Sequence, residues 1–416
     1  MKCRIHRGAD EIGGGCYELE AHGKRLVLDV GWPISAAPGE DVPLPEVSGL
    51  ADGTDPTLLG VCITHAHPDH YGLMEKAWPS VPVFIGAAAA RILSEATFYS
   101  PGGLQLKPHA QFEHRNPLTI GPFTVTPYLN DHSAYDAYSL LVEAGGRRLF
   151  YTGDIRAHGR KALLFEELLR DPPIGVDALL MEGTNVRADA TGEERGPSER
   201  DVEDAGVKTF EATQVMVLAM FSPQNIDRLV TMFRACRRSG RGLVIDLYAA
   251  SIARATGRDT IPQADWDGVR VYLPKSQRSK IIREKAFERT NEVKAHRIYP
   301  EELAMRRGEL VMLFRASMMR ELDQPDILDQ AQVVWSMWPG YLENDSGQRF
   351  KDWLKTLSIP LVVHHSSGHA YVPDLQRLVD ALAPARVVPI HSFAGDRFEE
   401  FFARVERRAD GEWWDV

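Results

Sequence analysis

The chain has 416 residues, 44% of them hydrophobic and 25% charged, a mixture that excludes disordered, collagenous and fibrous classes. Forty-eight Lys and Arg stand against 58 Asp and Glu, and the resulting net charge of −10 has the wrong sign for a protein that coats nucleic acid by neutralising phosphates. That length predicts two or three domains. The four cysteines, Cys3, Cys16, Cys62 and Cys236, are widely spaced and form no C-x-x-C pair, which argues against a disulfide framework and against a thiolate zinc site. The first residues lack the apolar core of a signal peptide, and no run approaches the roughly 18 apolar residues of a membrane span. The expected setting is the cytoplasm, without a membrane partner.

In chain order, short apolar runs punctuated by Gly, Pro and Asp predict strands at 26–30, 59–63, 81–85, 123–128, 139–143, 148–152 and 178–181. Ala144-Gly145-Gly146 reads as a hairpin turn, as does Gly13-Gly14-Gly15. Helical spacing falls at 88–98 and 160–170, and the Pro-, Gly- and Asp-rich stretch 33–58 reads as a long surface loop. A polar connector at 187–200 marks a change of style. After it, Ser222-Pro223 reads as the cap of a helix carrying Ile226, Leu229, Val230 and Phe233 on one face and closed by Gly240. Strands at 243–247, 310–314 and 332–336 predict a separate α/β unit. Strand, loop and helix return at 360–364 and 372–382, and two further elements at 386–390 and 397–407 end the chain.

Thr64-His65-Ala66-His67-Pro68-Asp69-His70 directly follows an apolar strand. Three imidazoles and a carboxylate this close suit a borderline divalent metal, zinc above all, with manganese as the alternative. In an extended segment His65 and His67 project to the same side, and Pro68 turns the backbone so that Asp69 and His70 can face a second ion. His132 and Asp154 each follow a strand candidate, where a sheet gathers ligands, and a carboxylate such as Asp154 can bridge two ions. Singly, a histidine is more often a core or surface residue and a Gly-Asp more often a turn. His6, His22, His109, His114 and His296 have no partner pattern, His364 reads as structural, and His158 is a minor candidate for substrate contact.

The pattern His65-Ala-His67-Pro-Asp69-His70, then His132, then Asp154 resembles the metallo-β-lactamase fold of binuclear hydrolases. That resemblance implies an α/β protein with an αββα sandwich and metals at one edge of two facing sheets. The fold alone does not choose a substrate. Met181-Glu182-Gly183-Thr184, His365-Ser366-Ser367-Gly368-His369-Ala370 and Pro389-Ile390-His391 further resemble the three signature motifs of the β-CASP nucleases, ribonuclease J branch. This implies a metallo-β-lactamase domain at 1–189, an inserted α/β β-CASP domain at 190–357, and completion of the first domain at 358–416. It implies one ion on His65, His67 and His132, another on Asp69, His70 and His391, and Asp154 between them. Asp69, Glu182 and His369 become the catalytic candidates, while His365, Ser367, Gly368, His369 and Ser336 become substrate-binding candidates.

The implied function is a two-metal ribonuclease that hydrolyses single-stranded RNA, as an endonuclease, a 5′-to-3′ exonuclease or both. Within the family a histidine at the third motif goes with RNA-processing members. A DNA nuclease or a small-molecule hydrolase on the same metals is the alternative, and a metal-free RNA-processing subunit is disfavoured by the complete ligand set. Three departures stand out. The chain stops about 25 residues after His391, as a short form without the C-terminal domain of ribonuclease J, which leaves a homodimer open. Ser392-Phe393 replace the family's Gly-Glu, and residues 311–316 lack its Gly-rich run. The basic residues Lys275, Arg278, Lys280, Arg283 and Lys285 read either as an approach channel or as a solvated face.

Overall fold

The computed structural model describes residues 1–37, 40–100, 103–323 and 325–416. It divides into two compact units, Met1–Gly196 with Gly368–Val416, and Pro197–Ser367. The expected loop at 33–58 is thus described apart from residues 38 and 39.

The first unit contains two mixed sheets. One has seven strands, running in space from Trp413–Asp415 through Lys2–Arg7, Cys16–Ala21, Lys24–Leu28, Leu58–Cys62 and Val83–Gly86 to Ala110–Phe112. The other has six, in the order Arg386–Ile390, Ala178–Glu182, Arg147–Tyr151, Tyr138–Ala144, Phe123–Leu129 and Leu118–Ile120. Because side chains alternate along a strand, each sheet presents two different apolar faces. Leu26, Leu28 and Cys62 of the first sheet share one core with Val125, Leu140, Leu149, Tyr151 and Leu180 of the second. The alternate residue Val27 instead packs outward with Ala89, Ala90 and Leu93 of the helix Ala87–Tyr99. On the far side Leu141, Phe150 and Leu179 pack against Phe165 and Leu168 of Ala162–Arg170 and against Leu375 and Leu378 of Val372–Leu382. The layers are therefore α, β, β, α.

The second unit holds one six-stranded sheet that is parallel throughout, ordered Val269–Tyr272, Gly242–Asp246, Leu310–Leu313, Val217–Met220, Gln332–Trp335 and Leu361–Val363. Its central strands Leu310–Leu313 and Val217–Met220 are buried on both faces and read as unbroken apolar runs, as parallel strands do. Strand Leu361–Val363 joins this sheet's edge, so the second unit extends to Ser367, whereas the connector at 190–196 clusters with the first unit.

Three local expectations are corrected. The helix Ile226–Arg238 is capped by Asn225, whose side chain accepts from the Arg228 N–H, while Ser222 closes the preceding turn by accepting from the Asn225 N–H (3.1 Å). An Asn side chain at that spacing satisfies an orphan donor that Ser222 is too early to reach. The stretch 33–58 is more than a surface loop, because Val42, Val47 and Leu50 are buried in the outer core of the seven-stranded sheet. Residues 397–407 do not form one element: a single helical turn, Phe398–Phe401, is followed by irregular chain.

A candidate metal centre at the strand ends

The strand Leu58–Cys62 ends just before His65 and His67, and the helical turn Pro68–Tyr71 then carries Asp69 and His70. Pro68 opens that turn because a helix's first residue needs no N–H. His132 follows Phe123–Leu129, Asp154 follows Arg147–Tyr151, Glu182 ends Ala178–Glu182, and His391 follows Arg386–Ile390. Five different chain segments thus deliver polar groups at strand ends.

Potential ligand atoms of His65, His67, His132 and Asp154 lie within 4.8 Å of one another, and so do those of Asp69, His70, Asp154 and His391. Asp154 belongs to both groups. Its Oδ2 is 3.2 Å from His70 Nε2, 3.7 Å from His65 Nε2 and 3.8 Å from His132 Nε2, and its Oδ1 is 3.8 Å from His391 Nδ1. A third group joins Glu182, His369 and His391. There His369 Nδ1 is 3.4 Å from Glu182 Oε1 and 3.8 Å from Asp154 Oδ2.

The donor set fits divalent cations. Both carboxylate oxygens of Asp154 and the Nε2 atoms of His65, His70 and His391 are buried without a hydrogen-bond partner among the described residues. Buried polar atoms are normally satisfied, so several orphans converging on one place mark a missing ligand. The charges agree. Burial, helped by His70 and His132, drives His65 well below the usual histidine range; burial does the same to His132 against the pull of Asp154. Both are thereby neutral and ready to bind. Burial opposes a charge on His70 too, yet Asp154, Asp29 and Asp69 outweigh it and raise its pKa well above the ordinary value. Those carboxylates favour a cation at that spot, whether a proton or a metal. For His369 burial is again outweighed, by Glu182 and then Asp154, which hold it up to about 9.

Several supporting residues escaped the sequence reading. Asp29 is fully buried and accepts from the Thr64 N–H (2.7 Å), the Thr64 hydroxyl (2.8 Å) and the Tyr151 hydroxyl (2.6 Å). Its Oδ2 also lies 2.8 Å from His70 Nδ1, which turns His70 Nε2 toward Asp154. A carboxylate ending the apolar run Leu26-Val27-Leu28-Asp29 was the available signal. His132 Nδ1 donates to the Gly368 carbonyl (2.6 Å), and Thr184 Oγ1 is hydrogen-bonded to His391 Nδ1 (2.9 Å), so each ring has one orientation. Asn185 Nδ2 donates to the carbonyls of His369 (2.8 Å) and Ala370 (3.2 Å). Gly31 is required here, since a Cβ would sit 1.7 Å from the Asp69 carbonyl oxygen.

Gly368 and His369 belong to the first unit, whereas Ser336, His365 and Ser367 belong to the second. Ser336 is buried, donating to the His364 carbonyl (2.5 Å) and accepting from Arg228 Nη1 (2.6 Å), so its hydroxyl is engaged inside its own unit. His364 Nε2 is hydrogen-bonded to Thr209 Oγ1 (2.8 Å). His158 packs against Tyr371, with ring centroids 5.3 Å apart. Among the described residues no helix is long and apolar enough to cross a membrane.

Residues 38–219 match the family described as "Beta-lactamase superfamily domain". Over 413 residues the chain is 24% identical to ribonuclease J of Sinorhizobium meliloti, covering 93% of this chain and 68% of that protein. It is also 24% identical to ribonuclease J of Mycobacterium tuberculosis H37Rv, covering 92% and 67%. Ribonuclease J of Helicobacter pylori 26695 is 27% identical over 231 residues, which is 53% of this chain and 33% of that protein. A crystal structure of a protein of unknown function from Enterococcus faecalis V583 shares the fold, with a TM-score of 0.80, 19% identity and 99% of both chains covered. The chain thus carries a β-lactamase superfamily domain over residues 38–219, and its likeness to ribonuclease J runs over most of its length.

Proposed function

We propose that the protein is a metal-dependent ribonuclease of the β-CASP group, cutting phosphodiester bonds of single-stranded RNA as an endonuclease, a 5′-to-3′ exonuclease or both. The observation that carries this reading is the pair of ligand groups sharing Asp154, with the His369–Glu182 pair beside them. A lactamase or thioesterase reaction has no use for that pair. The likeness to ribonuclease J and the histidine at position 391 support RNA over DNA.

On this reading His65, His67 and His132 would hold one divalent ion and Asp69, His70 and His391 a second, with the Asp154 carboxylate available to both, zinc being the first choice and manganese the second. Bound there, the ions supply Lewis-acid charge beside the scissile phosphorus and lower the pKa of water. His369, protonated and oriented by Glu182, donates its proton to the leaving 3′-oxygen as the P–O3′ bond breaks. Asp69 keeps some solvent exposure and is the carboxylate at hand for the attacking water's proton. The Gly368 carbonyl keeps His132 oriented, and His365 and Ser367, shortly before it in the chain, are proposed to meet the substrate; Ser336, its hydroxyl held by Arg228 and the His364 carbonyl, is not given that role. Four buried free cysteines fit a reducing cytoplasm. A homodimer is the proposed assembly.

The test is a gel assay on purified protein of measured metal content, given matched 5′-labelled single-stranded RNA and DNA. Cleavage of RNA alone, abolished by chelation, is the expected result; mononucleotides mark an exonuclease and internal fragments an endonuclease. No cleavage of either strand by metal-loaded protein overturns the reading.

A further inference from the structure

Between residues 275 and 297 of the second unit lie eight Lys or Arg and only three Glu, a local net charge of +5 in a chain of −10. The helix Lys275–Glu284 buries only Ile281 and exposes Lys275, Ser276, Ser279, Ile282 and Arg283 on the opposite side. Part of this charge is neutralised inside the unit, because Arg278 meets Glu321 (2.9 Å) and Arg283 meets Glu284 (3.3 Å). Lys275, Lys285 and Lys294, however, are exposed and have no carboxylate in ion-pair range among the described residues. Flat aromatic faces accompany them. Phe287 is 56% exposed in the turn that follows the helix, and Tyr299 is 50% exposed with the Arg297 guanidinium 4.9 Å from its ring centroid.

We propose that this segment is a docking surface for the phosphate backbone of single-stranded RNA, with Phe287 as a stacking face for an unpaired base. Cations and hydroxyls on one helix face are the groups that contact phosphate without reading sequence. Exposed rings beside them select unpaired bases, since paired bases hide their faces. The helix's outward side carries one large apolar residue, Ile282, too little to seat it in a membrane. The identity of the polyanion rests on the ribonuclease reading above.

The experiment measures fluorescence anisotropy of a labelled, phosphorothioate-linked oligouridylate, which resists hydrolysis, with the metal-loaded full chain across a salt series. A triple variant carrying Lys275→Gln, Lys285→Gln and Lys294→Gln should bind several-fold more weakly, and its log affinity–log salt slope should shrink by about 2, at roughly 0.7 per lost phosphate contact. Phe287→Ala should lower affinity roughly fivefold or more with the slope unchanged. Unaltered melting temperatures confirm that these exposed changes leave the fold intact. Wild-type affinity and slope in the triple variant overturn the proposal, as does binding that is equally tight for duplex RNA, or that goes to anionic phospholipid vesicles and not to RNA. Cleavage of ordinary oligouridylate, read alongside, separates the two readings. Cleavage with unchanged variant binding removes the docking surface alone, whereas neither cleavage nor binding removes both.

Discussion

Two networks of buried polar groups, one in each unit, are built in opposite ways. In the second, Arg228 is fully buried and saturated: it donates to both carboxylate oxygens of Glu199 (3.2 and 2.9 Å) and to the carbonyl and hydroxyl oxygens of Ser336 (2.5 and 2.6 Å). Thr231 adds a further donor to Glu199 (2.6 Å). Asp246 is likewise satisfied by Arg315, Gln277 and the Ala249 N–H. In the first unit, Asp154 and the ring nitrogens around it face one another unsatisfied. A closed network holds a fold together, whereas an open, convergent one is built for something that arrives later. Both include residues at strand ends, Ser336 and Asp246 in the second unit and Asp154 in the first, so position alone does not tell them apart; the count of satisfied atoms does.

Breaking the open network should cost the most function. Asp154→Ala removes the residue common to both ligand groups, and RNA cleavage is expected to fall to background together with metal content measured by elemental analysis. Retained metal and activity would dissolve the contrast between the units.

His369→Ala should lower kcat by roughly 10²- to 10⁴-fold, the usual worth of a general acid, while metal content stays at the wild-type level. The same residue gives a pH signature in chelated protein. A histidine whose folded pKa is raised from its usual 6.5 to about 9 stabilises the fold fully below 6.5, and that contribution is lost as pH climbs through 9. Denaturant titrations should therefore show the stability gap between wild type and His369→Ala narrowing from pH 6 to 10.

Asp29→Asn keeps the shape but weakens the acceptor behind His70. Metal affinity or activity should drop roughly 10- to 100-fold, as for other residues that orient a metal-binding histidine. An unchanged metal titration would limit Asp29 to packing.

The closed network predicts a stability effect. Arg228→Met leaves Glu199 buried and unpaired, at a cost of about 3–5 kcal/mol in chemical unfolding. Adding Glu199→Leu should recover much of the loss, because an apolar pair needs no partner charges. No such recovery is expected when a second ligand is removed beside Asp154, where the missing partner is an ion.

Much of the centre was legible because its chemistry is local. His65, His67, Asp69 and His70 fall within six positions, and alternation along an extended chain followed by a proline turn is enough to aim them. His132 and Asp154 announced themselves by following apolar runs, whereas Glu182 and His391 were singled out by their resemblance to the β-CASP motifs. Asp29 ended one too, but without a histidine nearby its partners His70 and Tyr151 could not be guessed. The helix cap at Asn225 and the buried side of 33–58 were hidden for a similar reason: each depends on what lies across from it.

The residue types and spacings thus determined the metal chemistry, the α/β alternation and the existence of a second unit, since periodicity and ligand character are properties of short stretches. Only the tertiary structure decided which sheet faces which, that the Gly368 carbonyl orients His132 from 236 residues away, and which buried charges are closed off and which are left open. Those outcomes depend on contacts between distant segments, and such contacts exist only once the layers have packed.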